Sequence, residues 1–369
     1  MRSRSKTPAG STGDDENVTG DKRQGAGRSK YRTSILEFQT AASHWRLVVL
    51  DLSLAARRLS HVTRHLMTPD TLHSTPDLSE NPISASSSHQ ARLSVYAGFV
   101  KLSHSLFSLP LLFAGALLAG RHALTLALAG WILLAGLGAR TTGMAFNRII
   151  DRWIDAKNPR TASRALPQGT MRPVEAWLVA AAGAILYIVA AAAISPLCLT
   201  LSPIPLALFA LYPYLKRFTV LSHIGLGIAW STAPLGGWVA ATDSASMTPS
   251  LLWLAAFSIC WVAGFDIIYA TMDEAFDRAH GLHSLPALLG SERALAVSRL
   301  LHLMAFGCLI GLWQTLGHAA GALPITAAAI LFIAEHRLRD RGAAFFPVNV
   351  LIGCAVLALV ATAPPGAAP

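Results

Sequence analysis

Residues 123–146 read ALTLALAGWILLAGLGARTTGMAF and run directly into NRIIDRWID at 147–155. The first stretch is apolar apart from one charge, Arg140, and is long enough for a helix to cross the ~30 Å hydrocarbon core of a bilayer. The second sets Asn147, Asp151 and Asp155 four residues apart. On a helix a step of four overshoots a full turn by only about 40°, so these three oxygen-bearing side chains share one face. Arg140, seven residues before Asn147, lies on that face, deeper in the membrane. A membrane helix that ends in carboxylates decides the fold class and points to where the chemistry lies.

The rest of the chain repeats the pattern. Hydrophobic residues make up 53% of the 369 and charged residues only 14%, against roughly a quarter in an ordinary soluble domain. Mean hydropathy is +0.46. This balance excludes a disordered, collagenous or nucleic-acid-binding chain and argues against a soluble globule. Apolar stretches fall at about 99–119, 123–146, 174–194, 197–213, 219–241, 250–271, 294–316, 321–334 and 345–362. Nine helical spans are therefore expected, because in lipid every backbone polar group must be satisfied within its own helix and the alternation of a barrel is absent. The basic residues cluster after spans two (Arg148, Arg152, Lys157, Arg160, Arg164, Arg172), four (Lys216, Arg217), six (Arg278, Arg293) and eight (Arg337, Arg339, Arg341). Lys and Arg favour the cytoplasmic side, so the N-terminus and the even-numbered connections are expected there and the C-terminus outside.

Residues 1–95 form a separate segment. They hold 13 Lys/Arg and 9 Asp/Glu and are rich in Ser, Thr and Gly. Up to about Tyr31 the composition is that of disorder, and Ile35 to Leu66 reads as an amphipathic surface helix. That stretch is not expected to be a signal peptide, since no apolar core of useful length precedes a small-residue cleavage site. An upstream extension from a misassigned start codon, with Met67 as an internal start, is one bland explanation of this segment, and its role stays open. His61 and His65 stand at i, i+4, but Val62 occupies the place of a zincin Glu, so no metal site is assigned there. The four cysteines, Cys198, Cys260, Cys308 and Cys354, lie far apart and form no metal or disulfide pattern.

From Tyr96 onward there are only 11 acidic residues. Six of them gather at two helix ends: Asp151 and Asp155 after span two, and Asp266, Asp273, Glu274 and Asp277 at and after span six. Read as one helix, positions 266, 269, 273 and 277 share a face. Charges beside hydrocarbon cost a few kcal/mol and need a partner or a task. Carboxylates and an amide oxygen, without His or thiolate, are the donors that suit Mg²⁺ rather than zinc. Basic residues flank both acidic faces, so the pair of faces suits a magnesium-bound diphosphate in a shared central cavity. The bland alternative is a set of ordinary loop charges paired with their neighbours.

At these residues the sequence resembles the UbiA-type family of intramembrane aromatic prenyltransferases, over nearly all of 96–362. NxxxDxxxD is met by Asn147, Asp151 and Asp155, and is followed by NPRTASRALPQG (158–169). YxxxK is met by Tyr212 and Lys216. DxxxD is met by Asp273 and Asp277, with Asp266 in a family-like place. FVKLSHSLFSLPLLFAGAL (99–117) and GFDIIYATMDEAFDRAHGLHSLPALLG (264–290) resemble the 4-hydroxybenzoate polyprenyltransferase branch, some members of which act on 1,4-dihydroxy-6-naphthoate.

The resemblance implies Mg²⁺-dependent transfer of a polyprenyl group from its diphosphate to a ring carbon of an aromatic acid, in ubiquinone or menaquinone biosynthesis. It implies an all-α polytopic bundle of about nine helices in 96–369, in the bacterial inner (plasma) membrane. The expected metal ligands are Asn147, Asp151, Asp155, Asp273 and Asp277, with Asp266 assisting. Lys157, Arg160, Lys216 and Arg217 are expected on the diphosphate. Tyr212 and Tyr269 are candidates for the wall facing an allyl cation, with an interfacial belt as the alternative. Arg140 and Lys101 are expected to hold the acceptor carboxylate, although Lys101 could instead snorkel to the surface. Arg299 is read as a snorkelling residue and His104 as a packed polar one. The partners expected are polyprenyl diphosphate, an aromatic acid and the lipid bilayer, and no nucleic acid. Two rivals are a sister prenyltransferase with another acceptor and a transporter for an anionic solute, which would favour inverted repeats and broken helices at mid-bilayer.

Overall fold

The computed structural model describes residues 85–101, 105–338 and 341–364, all within one compact unit that begins at Asn81. The N-terminal segment up to residue 84, with its amphipathic stretch and His61 and His65, lies outside the described residues, as do His104 and Arg339. The described chain is all helical. Its α-helices are α1 (Ala85–Val100), α2 (Ser105–Leu118), α3 (Leu126–Lys157), α4 (Pro173–Ile194), α5 (Pro196–Leu201), α6 (Pro203–Leu215), α7 (Ser222–Thr242), α8 (Pro249–Ala270), α9 (Glu274–Ala279), α10 (Leu285–Leu289), α11 (Ser291–Leu316), α12 (Ala322–Arg337) and α13 (Arg341–Ala361).

Local chemistry sets many of these ends. Thr125, Ser195, Thr248 and Ser284 accept a hydrogen bond from the third backbone N–H of α3, α5, α8 and α10, satisfying donors that the helix leaves orphaned. Pro at the first helical position starts α4, α5, α6 and α8, where its missing N–H costs nothing. Gly317, at φ 64°, ends α11 in the left-handed region that suits glycine.

Six helical segments among the described residues are long and apolar enough to cross a membrane: 126–157, 173–194, 196–215, 249–279, 291–316 and 319–337. Ser108–Leu118 and Phe346–Ala361 are shorter apolar helices. α8 is the central one. Leu251, Leu254, Phe257, Trp261 and Val262 on it are wholly buried, packed against α7 and α11. The surrounding helices turn large apolar side chains outward, among them Ile185, Val189, Leu300, Leu303 and Ile330. Water would penalise that surface and lipid does not, so the protein is an integral membrane protein.

Where the structure departs from the expected spans, backbone chemistry explains the break. The first span does not start at 99: α1 ends at Val100, and Lys101 sits in a turn with φ 48° before α2. The second continues past its apolar part as the spacing of Asn147, Asp151 and Asp155 implied: α3 runs unbroken to Lys157, so apolar stretch and acidic face are one helix. The fourth is split at Ser202, because Pro203 and Pro205 cannot donate to the preceding turn. The sixth tightens into a 3₁₀ turn at Thr271–Asp273 before α9, so Asp266 and Asp277 are not on one continuous helix.

Candidate functional site

Two acidic helix ends converge on one polar cavity of about 270 Å³. α3 brings Asn147, Arg148 and Asp151 to its wall, and α8 with the turn and α9 beyond it brings Asp266, Tyr269, Asp273 and Asp277. Lys216, just past α6, and His223, at the start of α7, complete the ring. The loop between α9 and α10 is docked on the end of α6 by a hydrogen bond that His283 N–H donates to the Lys216 carbonyl, at 2.7 Å. A chain excursion after α8 is thereby pinned against the helix that carries the YxxxK residues.

Asp151 and Asp273 each have a defined set of partners. Asp151, almost fully buried, accepts from Lys216 Nζ at 2.5 Å, Arg217 Nη2 at 3.2 Å and Asn147 Nδ2 at 3.4 Å. Asp273 accepts from Asn158 Nδ2 at 2.8 Å and Arg160 Nε at 2.8 Å, and a second Arg160 nitrogen reaches its other oxygen. The same guanidinium donates to the Tyr269 hydroxyl at 2.7 Å and lies over its ring. Arg160 therefore ties the loop after α3 to the end of α8. Burying these charges is tolerable because each carboxylate is paired and hydrogen-bonded.

Several expected site residues stand elsewhere. Asp155 does not line the cavity. Both its oxygens accept from Arg164 Nη1, at 2.7 and 2.6 Å, with Arg148 at 3.9 Å. The 40° overshoot per step accumulates to about 80° between 147 and 155, enough to turn Asp155 toward the 158–164 loop. Lys157 is exposed at the end of α3 and does not line the cavity. Asn158, Arg148 and His223 carry site contacts that the sequence reading did not assign. Asn158 opens the family-like stretch 158–169, which was a usable signal. His223 had none.

The cavity floor is basic and aromatic. Arg140, Tyr212, Leu226 and Trp230 line both this cavity and a second, apolar one of about 330 Å³ framed by α2, α3, α4, α6 and α7. The Arg140 guanidinium is 5.4 Å from the Trp230 ring centre, within cation–π range. Lys101 also lines the polar cavity. Burial, and then repulsion from Arg148, Arg164, Arg140 and Arg160, lower its ammonium pKa to about 8.

The donor set can be tested against Mg²⁺. Among the described residues no three His, Cys, Asp or Glu side chains converge tightly enough to form a complete protein cage. Mg²⁺ does not require one: it keeps several waters and takes phosphate oxygens, held by one or two carboxylates. Asn147, Asp151, Asp273 and Asp277 give hard oxygens from opposite walls of one cavity, and they fit that ion.

Comparison with known proteins gives a consistent picture. The sequence pattern of the UbiA prenyltransferase family matches residues 108–361. The 4-hydroxybenzoate octaprenyltransferase of Xylella fastidiosa (strain M12) is 33% identical over 235 residues, which cover 61% of this chain and 76% of that protein. Its counterpart in Vibrio atlanticus (strain LGP32) is 30% identical, over 59% of this chain and 78% of that protein. The apo structure of a UbiA homolog from Aeropyrum pernix K1 superposes with a TM-score of 0.64 at 39% identity, covering 70% of this chain and 97% of that one. A UbiA homolog from Archaeoglobus fulgidus, bound to GPP and Mg²⁺, shares the fold at TM-score 0.55 and 19% identity, over 73% of this chain and all of that one.

Proposed function

The chain belongs to the UbiA prenyltransferase family, in its 4-hydroxybenzoate polyprenyltransferase-like branch, and on that premise we propose how this prenyltransferase works and on what. It transfers a polyprenyl group from polyprenyl diphosphate to a ring carbon of a 4-hydroxybenzoate-type aromatic acid, with Mg²⁺, on a route to ubiquinone or menaquinone. Family membership sets the transporter reading aside. The observation that carries the proposal is the joining of two unlike cavities. A polar one lined by acids and cations meets an apolar one at Arg140, Tyr212 and Trp230. A lipid diphosphate has the same two halves.

Asn147, Asp151, Asp273 and Asp277 hold Mg²⁺ in this reading, and the bound ion supplies positive charge against the departing diphosphate. Lys216, Arg217 and Arg160 now occupy the lone pairs of Asp151 and Asp273. They are placed to exchange carboxylate for phosphate oxygens when the donor enters, and their attraction grows as charge develops on the leaving group. Tyr212 and Trp230 wall the junction with π faces and exclude water from the allylic carbon. Arg140 and Lys101 attract the acceptor carboxylate. Asp155, fixed by Arg164 and Arg148, instead braces the loop that delivers Arg160. Nine crossings, with the N-terminus and the basic loops in the cytoplasm, remain the proposed topology.

The test uses purified protein in detergent with Mg²⁺, a polyprenyl diphosphate and a panel of aromatic acids. Release of diphosphate together with a prenylated 4-hydroxybenzoate supports the proposal. Product only with 1,4-dihydroxy-6-naphthoate reassigns the acceptor, and product with no aromatic acid refutes the proposal.

A further inference from the structure

Asp266, its side chain 30% exposed, differs from Asp151 and Asp273 in what holds it. Lys216, Asn147 and Arg217 occupy both oxygens of Asp151, and Asn158 and Arg160 both oxygens of Asp273. Asp266 accepts at one oxygen only, Oδ2, from His223 Nδ1 at 2.7 Å, and forms no ion pair with Lys or Arg among the described residues. Its other oxygen takes no hydrogen bond from a described residue.

The imidazole partner is fixed from behind. His223 is 3% exposed, and its Nε2 faces the backbone N–H of Leu285 at 3.3 Å. A backbone N–H can only donate, so Nε2 accepts and the single ring proton sits on Nδ1, pointed at Asp266. A neutral donor thus orients the carboxylate and leaves lone pairs on Oδ1 for a proton. Asp151 and Asp273 instead take guanidinium or ammonium donors, with both oxygens engaged.

Position matters as much as state. Asp266 lies seven residues before Asp273, roughly 10 Å deeper along α8. It shares the polar cavity with Tyr212, Trp230 and Arg140, which mark the junction with the apolar cavity. That junction is where an allylic carbon and an aromatic ring have to meet if the head of the donor stays with Asp151 and Asp273.

We propose that Asp266 is the base that removes the ring proton, and that His223 is its positioning residue. The inference rests on the aromatic prenyl transfer proposed above. The C1–O electron pair leaves with diphosphate, and a π pair of the ring forms the new bond to C1. The C–H pair at the substituted carbon then returns to the ring as its proton passes to Asp266 Oδ1. Asp266 is left as the neutral acid and releases the proton to water through the polar cavity.

The experiment compares Asp266→Asn, His223→Ala and His223→Asn with the unmodified full-length enzyme, using 4-hydroxybenzoate with and without deuterium at the reacting ring position. Asp266→Asn is expected to lower kcat on the order of 100-fold or more, to leave the KM for the polyprenyl diphosphate nearly unchanged, and to expose a primary isotope effect that the unmodified enzyme lacks. His223→Ala is expected to lower kcat alone. His223→Asn, whose amide N–H can take the place of Nδ1–H, is expected to restore most of it. Unchanged kcat in Asp266→Asn overturns the assignment. Loss of donor binding in that variant also overturns it, moving Asp266 to the metal–diphosphate group. Failure of the acceptor reading is seen separately, as no prenylated aromatic product from the unmodified enzyme, and it removes the base assignment with it.

Discussion

Lys101 holds a charge against its surroundings. It stands in the left-handed region at φ 48°, which costs a side-chain-bearing residue roughly 1–2 kcal/mol, and burial, followed by repulsion from four guanidiniums, lowers its pKa to about 8. Below pH 8 the ammonium is intact and an anionic acceptor meets its full charge. As pH rises through about 8 that charge is lost. Because kcat/KM reports the free enzyme, its value for the aromatic acid is expected to fall above pH 8, and Lys101→Arg to flatten the fall. Equal declines in both forms would remove Lys101 from the acceptor site. At this scale the sequence was legible wherever spacing alone decides: Asn147, Asp151, Asp273 and Lys216 all line the cavity. It was opaque wherever a partner comes from elsewhere in the chain. Asp155 follows the bland alternative of pairing with a neighbour, Arg164, nine residues on, whereas nothing near His223 announces Asp266, 43 residues on.

Among the elements, α7 shows two adjacent glycines with different tasks. A Cβ on Gly237 would lie 2.0 Å from the Leu112 carbonyl oxygen of α2, whereas a Cβ on Gly236 meets nothing within 4 Å. Membrane helices approach this closely only over small residues. Gly237→Val is expected to cost ~1–3 kcal/mol through forced separation of α2 and α7 and to lower the melting temperature in detergent. Gly236→Ala should leave it unchanged, and equal melting of all three forms would contradict the packing read here. Hydropathy located the helices because lipid enforces one conformational class on apolar runs. It missed the 3₁₀ turn at 271–273, whereas the four-residue spacing of Asn147, Asp151 and Asp155 marked the helical continuation of α3 beyond its apolar part.

For the whole molecule, the division into a polar and an apolar chamber has a consequence for the donor. Gly236 lines the apolar chamber and opens onto free space. Gly236→Phe is expected to raise the KM for long polyprenyl diphosphates at least several-fold and to spare a short donor such as geranyl diphosphate. Steady-state kinetics with donors of two lengths check this, and equal effects on both would place the tail elsewhere. The chamber itself could not be read from the sequence, since its lining is as apolar as any lipid-facing surface.

We propose that α3 and the end of α8 grip one magnesium-bound diphosphate together. The most direct measurement is calorimetric binding of geranyl diphosphate to the full-length protein, with and without Mg²⁺, for the unmodified chain, Asp151→Asn and Asp273→Asn. Asn keeps the shape while removing the charge, which limits the destabilisation expected when Lys216 or Arg160 loses its partner. Mg²⁺-dependent binding that is lost in each single variant is the predicted result. Undiminished Mg²⁺-dependent binding in either variant would contradict the shared site.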